Sequence, residues 1–96
     1  MFSYCTSLEN ITIPDSVTCI GEYAFYYCTS LRSVTITNSI KKIYSDAFGN
    51  CKNLVSITFT GTKSEWAAIG KYTWWDYKTS SYVIHCTDGD ITKTVT

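Results

Sequence analysis

No excess of charge is present: eight basic and eight acidic residues balance over 96 positions, which removes the electrostatic ground for nucleic acid or an anionic membrane as a partner. No apolar run approaches the roughly 20 residues of a membrane-spanning helix, so membrane insertion is not expected. The N-terminal MFSYCTSLEN has neither the basic nor the apolar region of a secretory leader. Paired C-x-x-C ligands are missing, so a zinc site lacks its usual donors. TDGD, residues 87–90, lacks the remaining carboxylates of an EF-hand loop, and no glycine loop is present to cradle phosphate. No metal and no other cofactor is expected. Histidine occurs once, and His85 and Cys86, being adjacent, point to opposite faces of a strand, where they form no local nucleophile–base pair. The acids Glu22 and Asp46 have no evident partner, so catalytic residues are not expected either. Strong helix formers are scarce, whereas Thr is frequent and eight residues are Tyr, as in β-rich proteins. The length is that of one domain.

What the chain does have is a repeat. Shifting the sequence on itself by 23 residues aligns Phe2 with Phe25 and Phe48, Cys5 with Cys28 and Cys51, and Leu8 with Leu31 and Leu54. Ile11, Val34 and Ile57 follow, then Ile13, Ile36 and Phe59. The first two units agree throughout, with Val17 matching Ile40, Ile20 matching Ile43 and Ala24 matching Ala47; the third departs at Lys63. A fixed period of this size marks a solenoid, whose units bury their apolar side chains only by stacking on one another. The alternating L-x-x-[IV]-x-[IF] segment reads as a strand, and stacked strands about 4.8 Å apart pile like residues on like. VTCI and IKKI supply the opposite wall. EYAFYYC and SDAFGNC are short enough for one helical or 3₁₀ turn between the walls. Truncating a Phe of the ladder, such as Phe25, is expected to cost about 3–5 kcal/mol.

The run CTSLENITIPDSVTCIGEYAFYYC, residues 5–28, closely resembles the BspA-like leucine-rich repeats of bacterial surface and secreted proteins. Its strand, the P-x-S-V that follows, the x-x-I-G and the A-F-x-x-C all match that unit, with Thr37 standing where a second proline is usual. The resemblance implies a right-handed solenoid of the α/β leucine-rich-repeat type, rich in β, with a parallel strand ladder. It further implies a non-enzymatic adhesion or protein-binding module at the cell surface or secreted, its partner a host matrix or bacterial surface protein. The expected organisation is one domain, with three repeats over residues 1–62, the first incomplete, and a capping segment over 63–96. Because the first unit opens at its A-F-x-x-C portion, either further repeats precede it or the uncapped N-terminal end self-associates.

The tail reads by helix chemistry. Thr62 and Glu65 form a capping box, Trp66 and Ile69 share a face, and Gly70 is expected to supply a left-handed stop. Trp66 is expected in the slot that Ile20 and Ile43 fill earlier. YVIHC and ITKTV flank an Asp-Gly pair suited to a tight hairpin. Cys5, Cys28 and Cys51 share one ladder position and are expected to be free, since stacked side chains pointing one way do not cross as a disulfide requires. Cys19 matches Lys42 and is expected at the surface.

Two places are candidates for binding. The outward strand positions Asn10, Thr12, Ser33, Thr35, Ser56 and Thr58, with Glu9 and Arg32 at the border, make a hydroxyl-rich strip, although Thr ladders also form for strand stability alone. Trp74, Trp75 and Tyr77, with Tyr72 and Tyr82 near them, either cover the last repeat or present aromatic faces to protein or carbohydrate. Two further readings are an array end with no ligand site and a minor carbohydrate-binding role for these tail aromatics.

Overall fold

A computed structural model describes residues 3–93; Phe2 and Val95, named in the repeat and the last strand, lie outside them. Two parallel ladders form the walls. Strands β1 (Asn10–Thr12), β3 (Ser33–Ile36), β5 (Ser56–Phe59) and β7 (Tyr82–Cys86) stack in parallel, and β8 (Gly89–Lys93) closes this sheet antiparallel to β7. Opposite them, β2 (Cys19–Ile20), β4 (Lys42–Ile43) and β6 (Gly70–Lys71) make a three-stranded sheet. The register is the one the repeat dictates: Ile11 pairs with Val34, Val34 with Ile57, and Ile57 with Ile84. Side chains alternate along each strand, so Val34, Ile36, Ile57 and Phe59 are buried between the walls. Leu31 and Leu54 are fully buried below them and Leu8 packs against the same core. Phe25 and Phe48 stack with ring centroids 5.1 Å apart and planes 8° from parallel, each burial worth about 1.5–3 kcal/mol.

The corners between the walls are not helical. In each, two residues take left-handed φ: Tyr23 and Tyr27, then Asp46 and Asn50, then Trp74 and Lys78. Alternate amides serve different partners. Ala24, Tyr26 and Cys28 donate to carbonyls three residues back, while Tyr23, Phe25 and Tyr27 donate to Ser45, Ala47 and Gly49 in the next coil. A helical turn would direct every amide into its own segment and leave the coils unbonded at the corner. The inter-coil ladder therefore selects the bent conformation.

This corner pattern also places the tail. Matching left-handed residues are 23 apart from Tyr23 to Asp46 and 28 apart from Asp46 to Trp74, so the stretch after β5 is a third coil lengthened by a short insertion. The insertion is helix α1 (Lys63–Ala68), opened by the expected capping box, in which the Thr62 hydroxyl accepts from the Glu65 amide and the Glu65 carboxylate accepts from the Thr62 amide. Gly70 does not provide a left-handed stop; Ile69 is extended (φ −66°, ψ 130°) and Gly70 enters β6 directly. The slot of Ile20 and Ile43 goes to Lys71, which pairs in register with Ile43, and not to Trp66. Lys71 lies with its ammonium 4.8 Å from the Trp66 ring and donates to the carbonyls of Trp66 (2.6 Å) and Ile69 (3.3 Å), serving the orphan carbonyls that a glycine cap would have served. Burial pushes its pKa down. Trp66 itself is buried against Phe59 and Trp75.

Further along the third coil the ladder positions change chemistry. Asp76 follows Phe25 and Phe48, and its carboxylate accepts from the Tyr82 hydroxyl and the Lys93 ammonium, both at 2.7 Å. This ties the closing hairpin to the core end; burial first, and the bond to Asp76 next, push the Tyr82 pKa up. The hairpin pairs Cys86 with Gly89 (φ +139°), so its turn residues are Thr87 and Asp88, one position ahead of the Asp-Gly pair.

Thr79 follows Cys28 and Cys51, and its buried hydroxyl has no hydrogen-bond partner among the described residues; Thr37 is in the same state. An unpaired buried hydroxyl costs about 1–3 kcal/mol, and an isosteric apolar replacement removes the cost. Thr79→Val is therefore expected to raise the thermal midpoint by several degrees, as about 1 kcal/mol does in a domain of this size; a lowered midpoint in a thermal melt would show that the hydroxyl is satisfied.

None of the five cysteines forms a disulfide. Cys51 is fully buried, its thiol donates to the Phe25 carbonyl at 3.1 Å, and burial pushes its pKa up to about 12. Cys19 is exposed. Since the thiolate is the reactive form, iodoacetamide at pH 8 is expected to alkylate Cys19 and to spare Cys51 until the protein unfolds. Equal labelling of the two in native protein, read by peptide mass spectrometry, would contradict the packed column.

Candidate functional site: the outer face of the strand ladder

Alternation along the five-stranded sheet leaves one face outward, and register turns it into two columns. Asn10, Ser33, Ser56, Val83 and Thr92 form one; Thr12, Thr35, Thr58, His85 and Asp90 form the other. The hydroxyl strip read from the sequence is thus brought together as expected, with Thr12 and Thr58 exposed and Ser33, Thr35 and Ser56 partly covered by their neighbours. The Ser33 hydroxyl donates to the Asn10 side-chain carbonyl, a contact within the ladder. The strip runs on into residues that repeat matching did not reach: Val83 and His85 from the third coil's return strand, and Asp90 across the hairpin, its carboxylate 3.0 Å from His85 Nδ1.

A third column borders the strip at the strand entrances. Arg32 donates its amide to Glu9 and Val55 donates to Arg32, so Glu9, Arg32 and Val55 are stacked. Glu9 and Arg32 are exposed and form no ion pair with each other or with another described residue. With Ser30 and Asn53 they line a groove of about 200 Å³, whose wall is steadied by the Asn53 amide donating to the Thr29 carbonyl at 2.6 Å. Val55 stands 47% exposed beside it; its apolar side chain at a position otherwise charged is the sequence signal for this border, and one unit alone does not reveal it.

The tail aromatics separate into two groups. Trp75 packs edge-on against Phe48 (6.2 Å), Trp66 (5.9 Å) and Tyr82 (6.2 Å) and belongs to the core margin. Trp74 is 63% exposed and tilts against Tyr77 at 5.4 Å, far from burial. Among the described residues, no three His, Cys, Asp or Glu side chains converge as a metal site would require.

A strand ladder of 23-residue spacing, corners built on A-F-x-x-C, and a polar outer face are now joined by a direct sequence match. The pattern of the BspA type leucine-rich repeat region (6 copies) fits residues 1–93. The chain belongs to the BspA-type leucine-rich repeat family. The match extends through the lengthened third coil and the hairpin, in keeping with a tail that continues the ladder. No curated protein matches. Among solved structures, the leucine-rich cell surface protein of Faecalibacterium prausnitzii A2-165 is similar at 41% identity and a TM-score of 0.67 over 69% of the chain. The BspA-type chain spans 17% of the length of that protein. No helix among the described residues is long and apolar enough to cross a membrane.

Proposed function

We propose that this BspA-type domain is a non-enzymatic protein-binding or adhesion module of a bacterial surface or secreted protein, and that it binds through the outer face of the five-stranded sheet. The observation that carries this reading is the border groove. Glu9 and Arg32 extend from adjacent coils without pairing, beside an exposed Val55 and a strip of small hydroxyl residues. A ladder shaped by stability alone gains from pairing opposite charges across neighbouring strands; side chains left free here are available to a partner. Arg is among the residue types that dominate interface energetics, and short hydroxyl side chains around it allow close approach. Cell-surface placement is supported by the F. prausnitzii neighbour, itself a leucine-rich cell surface protein.

The test is surface plasmon resonance of the purified chain over collagen, laminin and fibronectin. Replacing Thr12, Thr35 and Thr58 together with Glu is expected to abolish binding with the circular dichroism spectrum unchanged. Because three carboxylates on adjacent strands repel, the single variants Thr58→Glu and Arg32→Ala accompany it, each expected to weaken binding by about tenfold. Binding unaltered by all three variants rejects this face.

A further inference from the structure

The corners of the coils form a second exposed surface, away from the strand face. Its column of left-handed residues reads Tyr23, Asp46, Trp74, with φ of 58°, 56° and 65°. Asp46 suits that backbone, because Asp and Asn tolerate left-handed φ; bulky aromatic residues adopt it only at an energetic cost. The fold does not need aromatics there, since the middle coil turns the same corner with Asp46 and Asn50. Nor does burial repay them. Tyr23 is 48% and Trp74 63% exposed, and Tyr4, also left-handed, stacks on Tyr27 (5.4 Å, 7°) while remaining 63% exposed.

Aromatic residues flank the middle corner on both sides. The first coil contributes Tyr23, packed edge-on to Tyr26 at 4.9 Å, and the third contributes Trp74 with Tyr77. Between them lies the middle coil, where Tyr44 packs on Tyr72 at 4.7 Å and Gly49 leaves room for the Tyr26 ring: a Cβ at that position would stand 2.9 Å from Tyr26 Cδ1. Asp46 occupies the centre, with no hydrogen bond or ion pair to its carboxylate among the described residues. Coil spacing sets the two aromatic positions about 9–10 Å apart.

We propose that this corner surface is a carbohydrate site that takes an extended β-1,4-linked glycan along the solenoid axis, with Tyr23 and Trp74 stacking on alternate sugar rings and Asp46 accepting hydroxyl hydrogen bonds from the ring between. The aromatic spacing matches the disaccharide repeat of such a chain, in which every second ring presents the same face. Sugar hydroxyls supply donors to the unpaired carboxylate, and pyranose faces stack on exposed aromatic rings. This proposal is independent of the strand-face reading.

Isothermal titration with cellohexaose tests it, with α-linked maltohexaose as the control for chain geometry. Tyr23→Asn and Trp74→Asn are the decisive variants, since Asn keeps the left-handed backbone and relieves its cost. Each is expected to weaken cellohexaose binding by about tenfold or more while the thermal midpoint stays equal or rises, and maltohexaose is expected to bind at least as weakly as cellohexaose does to the variants. Aromatics serving only the fold would instead lower the midpoint when replaced. No heat with cellohexaose at millimolar concentration, binding that survives both replacements, or equal affinity for maltohexaose overturns the proposal.

Discussion

Phe48→Ala is expected to remove about 3–5 kcal/mol, a large share of the about 5–15 kcal/mol that a small domain holds in total, and to lower the denaturation midpoint accordingly. Phe48 is fully buried, stacked on Phe25 at 5.1 Å and met edge-on by Trp75 at 6.2 Å, so its ring joins all three corners. Truncation opens a cavity that neighbours cannot close, because each is fixed by hydrogen bonds running between coils: Phe48 donates its amide to Trp75 and Phe25 donates to Ala47. Phe25→Ala should cost less. Phe25 borders the outward end of the first coil, where Ile11, Ile13, Val17 and Ile20 help line an open apolar groove of about 370 Å³ that already lacks packing on one side. Urea denaturation of the two variants gives the ordering; a Phe48→Ala midpoint near wild type would contradict the stacked column.

Trp66→Ala is expected to follow closely, also at about 3–5 kcal/mol. The indole fills the end of the core against Phe59 (5.2 Å) and Trp75 (5.9 Å), and it supports the Lys71 ammonium on its face. Removing it exposes Phe59 and leaves Lys71 partly buried without its ring partner, though still bonded to two carbonyls. Trp66→Phe keeps an aromatic face and should recover about half of the loss. Equal effects of Ala and Phe in chemical denaturation would mean that the plug acts through its indole N–H and not through its volume.

Where the sequence reveals this architecture and where it conceals it follows from what a repeat encodes. Phe25, Cys28, Leu31, Val34 and Ile36 recur at a constant shift because every coil offers them the same pocket, so the two walls, their register and the buried columns are legible. The third coil is concealed because its occupants change while its backbone does not: Lys71 stands in for Ile43, Trp75 for Ala47, Asp76 for Phe48 and Thr79 for Cys51. Hydrogen bonds such as Asp46 to Trp74 and Asn50 to Tyr77 hold that coil in place without requiring any particular side chain, and the α1 insertion breaks the constant shift that would have exposed it. The outer strip is legible from alternation. Its extension to His85 and Asp90, and the unpaired border of Glu9 and Arg32, depend on which coil lies next to which. The corners show the reverse failure. Tyr23 reads as part of a helical turn, in which it would not share a column of left-handed residues with Asp46 and the exposed Trp74.

The constant offset between partners in the ladder governs how the chain acquires its shape. Every pair in the parallel ladders joins residues at least 23 positions apart, as Asn10 meets Ser33 and Ser33 meets Ser56, roughly a quarter of the chain, which is the range of slow, non-local folders that take milliseconds to seconds. Apart from α1 and the β7–β8 hairpin, whose partners lie 3–11 positions apart, no segment can form early as a seed. The parallel ladders can start only with the closure of one whole loop onto its neighbour, after which each further coil adds onto a template already made.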